Sequence, residues 1–223
     1  MTRHSGSSRL ALVALLAAAL TGCVAAAPKK DLTRFVAAQP RSVLVIPVVN
    51  NSVDLTAGDY FLSTVPIPLA ERGYYVFPVN LVKRLLEDDG LADAALVHQA
   101  APDRLGNLFG ADAVLYIVIQ KWDAKWVLVS TTVTVEFEYT LRDAKTGTVI
   151  WEDKETMRYS SDAGGGGLLG AIVNAAVAKA APNYMPLAQQ ANARALAYPG
   201  PGFPAGPYRP EYRKDYGSGA GAQ

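Results

Sequence analysis

The sequence predicts a mixed α/β fold (α+β in its segregation), one mixed β-sheet with helices packed on it. Three observations carry this. Residues 43–49 (VLVIPVV) are a continuous apolar run, as expected of a strand buried on both faces. Residues 132–141 alternate strictly between polar and apolar, as expected of a strand with one wet face. Around these lie stretches of helical spacing bounded by Pro, Gly, Asn and Asp. The resulting element order is β-α-β-α-α-β-β-β-α-α.

Taken in order, the first strand follows Pro40, and Pro47 means that one side of it is not fully paired at that point. The loop NNSVD follows, and a helix starts near Leu55 or Thr56, carrying Tyr60 and Phe61. Pro66 and Pro68 interrupt it, because neither donates a backbone hydrogen bond and each crowds the preceding turn. A short helical piece ends at Gly73, a left-handed cap. Residues 74–79 (YYVFPV) form a second strand. Asn80 caps the next helix, in which Leu81, Val82, Leu85 and Leu86 share one face. The DDG at 88–90 breaks it. A further helix runs from Leu91 through His98, and another opens at Pro102 or Asp103 and ends at Gly110.

Residues 111–122 give a third strand, with a reversal at Asp123 and Ala124. In the fourth, Val133, Val135, Phe137, Tyr139 and Leu141 point one way, toward covering helices. Thr132, Thr134, Glu136, Glu138 and Thr140 point to water. Residues 143–147 (DAKTG) make a hairpin loop in which Gly147 can take positive φ, and 148–159 return. The glycine-rich connector 160–167 leads to a helix of small residues, 168–181, stopped by Pro182. A last helix spans about 186–197, with Pro in its first turn. Residues 198–223, rich in Pro, Gly and Tyr without an apolar period, read as a disordered tail. Deletion of 199–223 is expected to move Tm by no more than about two degrees.

Residues 1–22 read as a lipoprotein signal peptide. Arg3 and Arg9 supply the positive end, and the apolar run 10–20 is shorter than the roughly 20 residues a spanning helix needs. Leu20-Thr21-Gly22-Cys23 resembles the bacterial lipobox. That resemblance implies cleavage between Gly22 and Cys23, a diacylglycerol on the Cys23 sulfur and a third acyl chain on the new amino group. The alternative is an ordinary signal peptide with an incidental cysteine. One acyl chain binds a bilayer only marginally, whereas two or three hold it durably. Position 24 is Val, not Asp, and the missing inner-membrane retention signal implies the outer membrane. Residues 23–40 then form the lipidated N-terminus and tether, with Phe35 and Val36 as first docking points, and 41–197 the α/β domain.

Charge and composition exclude several classes. From Cys23 onward there are 19 basic against 20 acidic residues, which gives no electrostatic case for nucleic acid. A single cysteine allows no internal disulfide and no cysteine-based zinc site. His98 is the one histidine left after signal removal, so no metal site is expected. Gly165, Gly167 and Gly170 spell GxGxxG, but the dinucleotide motif needs a strand–helix junction and an acid about 20 residues on. A flexible hinge is the reading, and no cofactor is expected. Gly166, Gly170, Asn174 and Ala178 put small residues at every fourth position. This is an interface helix, for a second copy or a partner, or else a face packed within the chain. Asn50, Asn51 and Asp54 follow the first strand, where ligand crevices of open α/β sheets lie. They form a binding loop or simply serve turn formation and capping. Catalytic carboxylate pairs such as Glu136 with Glu138 cannot be located by spacing.

The segments PVVNNSVDLTAGDYFLSTVPIPLAERGYYVFPV, LLEDDGL, FGADAVLYIVI and DAKTGTVIWED resemble a family of Gram-negative outer-membrane lipoproteins of unassigned activity. The resemblance runs from about Phe35 to Leu196, and residues 47–79 are its most specific part. It implies a fold like the N-terminal domain of the translocation protein TolB, a module shared with curli-type secretion lipoproteins and with lipoproteins that activate peptidoglycan synthases. Members tend to be encoded beside curli-secretion-like lipoproteins. The resemblance therefore implies a non-catalytic, outer-membrane-anchored component of a secretion or transport assembly. Its partners are the membrane, other envelope lipoproteins or a secretion channel, and a second copy. A regulator of peptidoglycan synthesis and an envelope hydrolase are the alternatives.

Overall fold

The apolar run after Pro40 becomes β1 (Ser42–Val45) and, past a break at Ile46, Pro47 and Val48, β2 (Val49–Asn50). Both lie in parallel along one edge of β4 (Ala113–Val127). They are one strand interrupted where Pro47 has no N–H to give, in line with the sequence. The protein is seen in a computed structural model that describes residues 30–127, 130–160, 185–197 and 202–214.

β3 (Tyr75–Val76) pairs in parallel with the other side of β1. β5 (Ser130–Asp143) and β6 (Val149–Ser160) extend the sheet from β4 as an antiparallel meander. The order is β3-β1-β4-β5-β6, with β2 beside β4. From β1 the chain crosses outward to β3, then back over β1 to β4. Right-handed crossovers in opposite directions put their helices on opposite faces. The first carries α2 (Ala57–Thr64) and α3 (Pro66–Glu71). The second carries α4 (Val79–Asp88), α5 (Ala94–Gln99) and α6 (Pro102–Phe109).

β1 serves both layers. Val43 and Val45 pack with Phe61, Leu69 and the sheet residues Leu115 and Ile117. Leu44 and Ile46 pack with Val82, Leu86, Val97 and Leu105. A strand covered on both faces has no polar alternation, which explains the apolar run. β5 is covered on one face only. Val135, Phe137, Tyr139 and Leu141 are buried. On the other face Lys121 lies 3.6 Å from Glu136 and Lys154 lies 2.6 Å from Glu138. The hairpin between β5 and β6 turns at Gly147, φ 69°, where a Cβ would be strained.

Several expectations need correction. Asp123 and Ala124 do not reverse the chain: they pair with Thr134 and Val133, and β4 continues to Val127. A bulge between Ile119 and Lys121 resets the alternation so that Trp122 rather than Lys121 enters the core. Asn80 is not a cap. The helix begins at Val79 after Pro78, whose extended backbone fills the N-cap position. Pro78 also cannot extend the ladder, so β3 is two residues long. Of the four expected stripe residues on α4, Val82 and Leu86 are buried, with Val79 beside them, while Leu81 and Leu85 are 55% and 44% exposed. A four-residue spacing suffices for a helix lying over the middle of the sheet.

The folded unit also extends past both expected ends. α1 (Thr33–Ala38), placed in the tether by the sequence, buries Phe35 in the core. Val36, expected to dock beside it, is half-buried. At the other end, α7 (Met185–Asn192) runs into a π-helical turn (Ala193–Ala197). Residues 202–214, expected to be disordered, are folded: Phe203 and Ala205 are fully buried. Composition argued from the missing apolar period, but one aromatic anchor in a ready-made cleft does not need one. A buried polar chain ties α7 to the rest. Tyr139 Oη donates to Asn192 Oδ1 at 3.0 Å, Asn192 Nδ2 donates to Thr64 Oγ1 at 2.7 Å, and Thr64 donates to the Phe61 carbonyl at 2.7 Å.

Candidate functional site

The loop after β2 sits at the C-terminal ends of the parallel strands. Its polar side chains bond mostly to each other. Asn50 Nδ2 donates to the Asp54 carbonyl at 2.6 Å, and Asn50 Oδ1 accepts from the Ser52 amide at 3.0 Å and hydroxyl at 2.7 Å. Asp54 Oδ1 accepts from the Thr56 amide at 2.9 Å and hydroxyl at 2.7 Å. Asn51 donates to Gln120 Oε1 at 3.2 Å and, through its amide, to the Ile119 carbonyl at 2.9 Å. The structure thus brings Asn50, Asn51 and Asp54 together as a scaffold of side-chain turns. What the scaffold presents is apolar: Val53 is 89% exposed and Leu55 93% exposed. These two exposed aliphatic side chains on a braced loop are a feature that the sequence reading did not single out. The VDL triplet between Ser52 and Thr56 was its signal.

His98 packs edge-on against Tyr116, ring centroids 5.2 Å apart, with Nε2 2.9 Å from the Pro47 carbonyl. It therefore serves the break between β1 and β2, supplying a partner for a carbonyl at the interruption. Burial pushes its pKa below the ordinary 6.5, partly offset by that carbonyl. Glu138 is held below the usual carboxylate range by the hydrogen bond from Lys154. Glu155, on the core side of β6, is pushed up by burial although Arg194 lies 3.7 Å away. Among the described residues no group of three or more His, Cys, Asp or Glu could hold a metal ion, and no helix is long and apolar enough to cross a membrane. The acylation site Cys23, the cleavage site at Gly22, and the small-residue positions Gly166, Gly170, Asn174 and Ala178 lie outside the described residues.

A second constellation was missed by sequence reasoning. Phe203 lies edge-on to Trp151, Tyr74 and Phe35, with centroids at 4.8, 5.1 and 5.8 Å. The buried Arg72 donates Nε and Nη2 to the Phe203 carbonyl at 2.9 and 2.6 Å, and Tyr74 Oη donates to the Pro204 carbonyl at 2.8 Å. Three backbone bonds complete the seat: Phe203 N–H to Ala195 O, Gly206 N–H to Arg72 O, and Tyr208 N–H to Gly73 O. The approach is close enough that a Cβ on Gly206 would lie 2.3 Å from the Gly73 carbonyl oxygen. The Gly-Phe-Pro triplet in the tail was the available signal.

Comparison with known proteins places this geometry. The family model described as "Putative lipoprotein GNA1162-like" matches residues 30–199. A protein of Neisseria meningitidis serogroup B described as "Putative lipoprotein NMB1124/NMB1162" is 37% identical over 169 residues, 75% of this chain and 78% of that one. The crystal structure of lipoprotein GNA1162 from Neisseria meningitidis superimposes with a TM-score of 0.55 at 34% identity, covering 62% of this chain and 96% of that one. With most of its length matched by the family model, this chain belongs to the GNA1162-like lipoprotein family.

Proposed function

We propose that this lipoprotein is anchored in the outer membrane through acyl chains on Cys23 and acts there by docking other envelope proteins, without catalysis, as part of a secretion or transport assembly. The lipobox at 20–23 and Val24 support the anchor and its membrane. The observation that carries the docking role is the braced loop 50–56, whose polar groups are tied up in hydrogen bonds within the loop and to β4 while Val53 and Leu55 stand in water. Exposed aliphatic side chains on a rigid mount are what a protein partner buries.

Two measurements test this. Palmitate labelling should mark the wild-type chain, and Cys23→Ser should lose both label and membrane retention. A wild-type chain that is unlabelled and soluble after lysis overturns the anchor. Cross-linking in intact envelopes should capture an envelope lipoprotein or a secretion channel with wild type and lose it with Val53→Ser/Leu55→Ser. Undiminished capture by the double variant overturns the loop assignment, and capture of a peptidoglycan synthase instead overturns the assembly.

A further inference from the structure

The seat of residues 202–208 has the anatomy of a peptide-binding site. One aromatic side chain enters a pocket of three aromatic rings, and the flanking backbone is read by hydrogen bonds from Arg72 and Tyr74 and to Arg72, Gly73 and Ala195. Domains that bind extended, proline-containing segments combine the same elements: aromatic walls and polar groups aimed at free carbonyls. The pocket walls Phe35, Arg72, Gly73, Tyr74, Trp151 and Ala195 all lie within the span matched by the family model, 30–199, while the occupant lies beyond it. Site and occupant are joined only through residues 198–201, Tyr-Pro-Gly-Pro.

We propose that this groove is a docking site for an extended Phe-Pro peptide, filled in cis by the chain's own tail and able to take the tail of a second copy in trans. The contacts made in trans are those already made in cis, the condition under which segment exchange is easy. A short connection gives the cis tail a high effective concentration, so the groove is normally closed to competitors. This inference stands on the packing of the tail and does not depend on lipid anchoring or on the loop at 50–56.

The test uses the full chain carrying Phe203→Ala, which removes the plug and leaves the walls intact. A labelled peptide of residues 202–214 should bind it saturably and raise its Tm. The same peptide with Phe203→Ala should not bind, and wild-type chain should take up the native peptide at least about tenfold more weakly. A Phe203→Ala chain that is folded by circular dichroism yet ignores the peptide overturns the site. Should that variant not fold, Phe203→Leu is read in the same way. Tagged Phe203→Ala chain should also retain an Arg72→Met chain, whose tail has lost its main grip. Peptide binding without such retention overturns the second copy as the source of the ligand.

Discussion

Phe203→Ala measures how much of the fold depends on the tail. Truncating a buried Phe costs about 3–5 kcal/mol from transfer and cavity terms, and edge-on aromatic partners add of order 0.5–1.5 kcal/mol. Phe203 has three such partners and no exposed surface. An opposing effect sets a ceiling. Without the ring the tail can detach, and ordering entropy of about 1–2 kcal/mol per residue is recovered as it does so. The loss cannot exceed what holds the tail in place, so the lower end of the range, about 3 kcal/mol, is expected. For a chain of this size that is a fall in Tm of roughly 6–12 °C. A thermal melt of the full chain by circular dichroism reads the shift, and Trp151 fluorescence reports the vacated pocket by moving to the red. A passive tail would give at most about 0.5 kcal/mol. A Tm within about two degrees of wild type with unchanged emission would refute the reasoning and restore the expectation drawn from composition.

Gly206→Ala forces a methyl group into the Gly73 carbonyl and should release the tail, seen as faster tryptic cleavage at Arg213 and Lys214; an unchanged rate counts against the close approach. Asn192→Ala strips Tyr139 of its acceptor and Thr64 of its donor and should cost about 2 kcal/mol or more. Adding Tyr139→Phe should cost less than the sum of the two single changes, since the orphaned hydroxyl is gone; full additivity in urea melts would deny the coupling. For His98 the sign follows from its lowered pKa. Below 6.5 the unfolded chain takes a proton that the folded chain resists, so stability falls as pH drops through that window toward the folded value. Wild type minus His98→Gln should therefore lose stability between about pH 7.5 and pH 5.5; a flat difference disproves it.

The sequence was most readable where each residue's neighbours in the chain decide its state. Pro47 announces the break between β1 and β2, DAKTG announces the hairpin, and 134–141 announce one wet face. It was least readable where a distant segment decides. Trp122 belongs to the core because a bulge two residues earlier shifts the register, and no local pattern shows a bulge. Leu81 and Leu85 fit an apolar stripe but stay about half exposed, since α4 faces the core along Val79, Val82 and Leu86. Phe203 sits in a stretch whose composition says disorder, and its partners come from positions 35, 72, 74 and 151. At the candidate loop, Asn50, Asn51 and Asp54 were found by position. Their role as a mount for Val53 and Leu55 appeared only once the side-chain bonds were seen.

The proposed anchor and the fold together restrict how a partner can approach. Lys30 is fixed to the domain: its ammonium lies 2.9 Å from the Glu152 carbonyl, 2.5 Å from Asp153 Oδ1, and 4.6 Å above the Trp151 ring. Only residues 24–29 separate it from Cys23, and the seven steps from Cys23 to Lys30, at no more than about 3.6 Å each, reach about 25 Å. Acyl chains on Cys23 would hold the β6 edge within that distance of the bilayer. Arg213 bonds to Gln39 at the end of α1, which keeps the tail near this side as well. The loop with Val53 and Leu55 follows β2, three strand spacings across the sheet from β6, or about 14 Å. A partner at the loop therefore need not compete with the membrane. Strand addition at β6 is the other obvious route, but Lys30 already occupies one of its carbonyls, and Glu152, Lys154 and Arg158 line it with exposed charge. Such an edge resists pairing, in keeping with the proposal that partners dock through side chains at the loop.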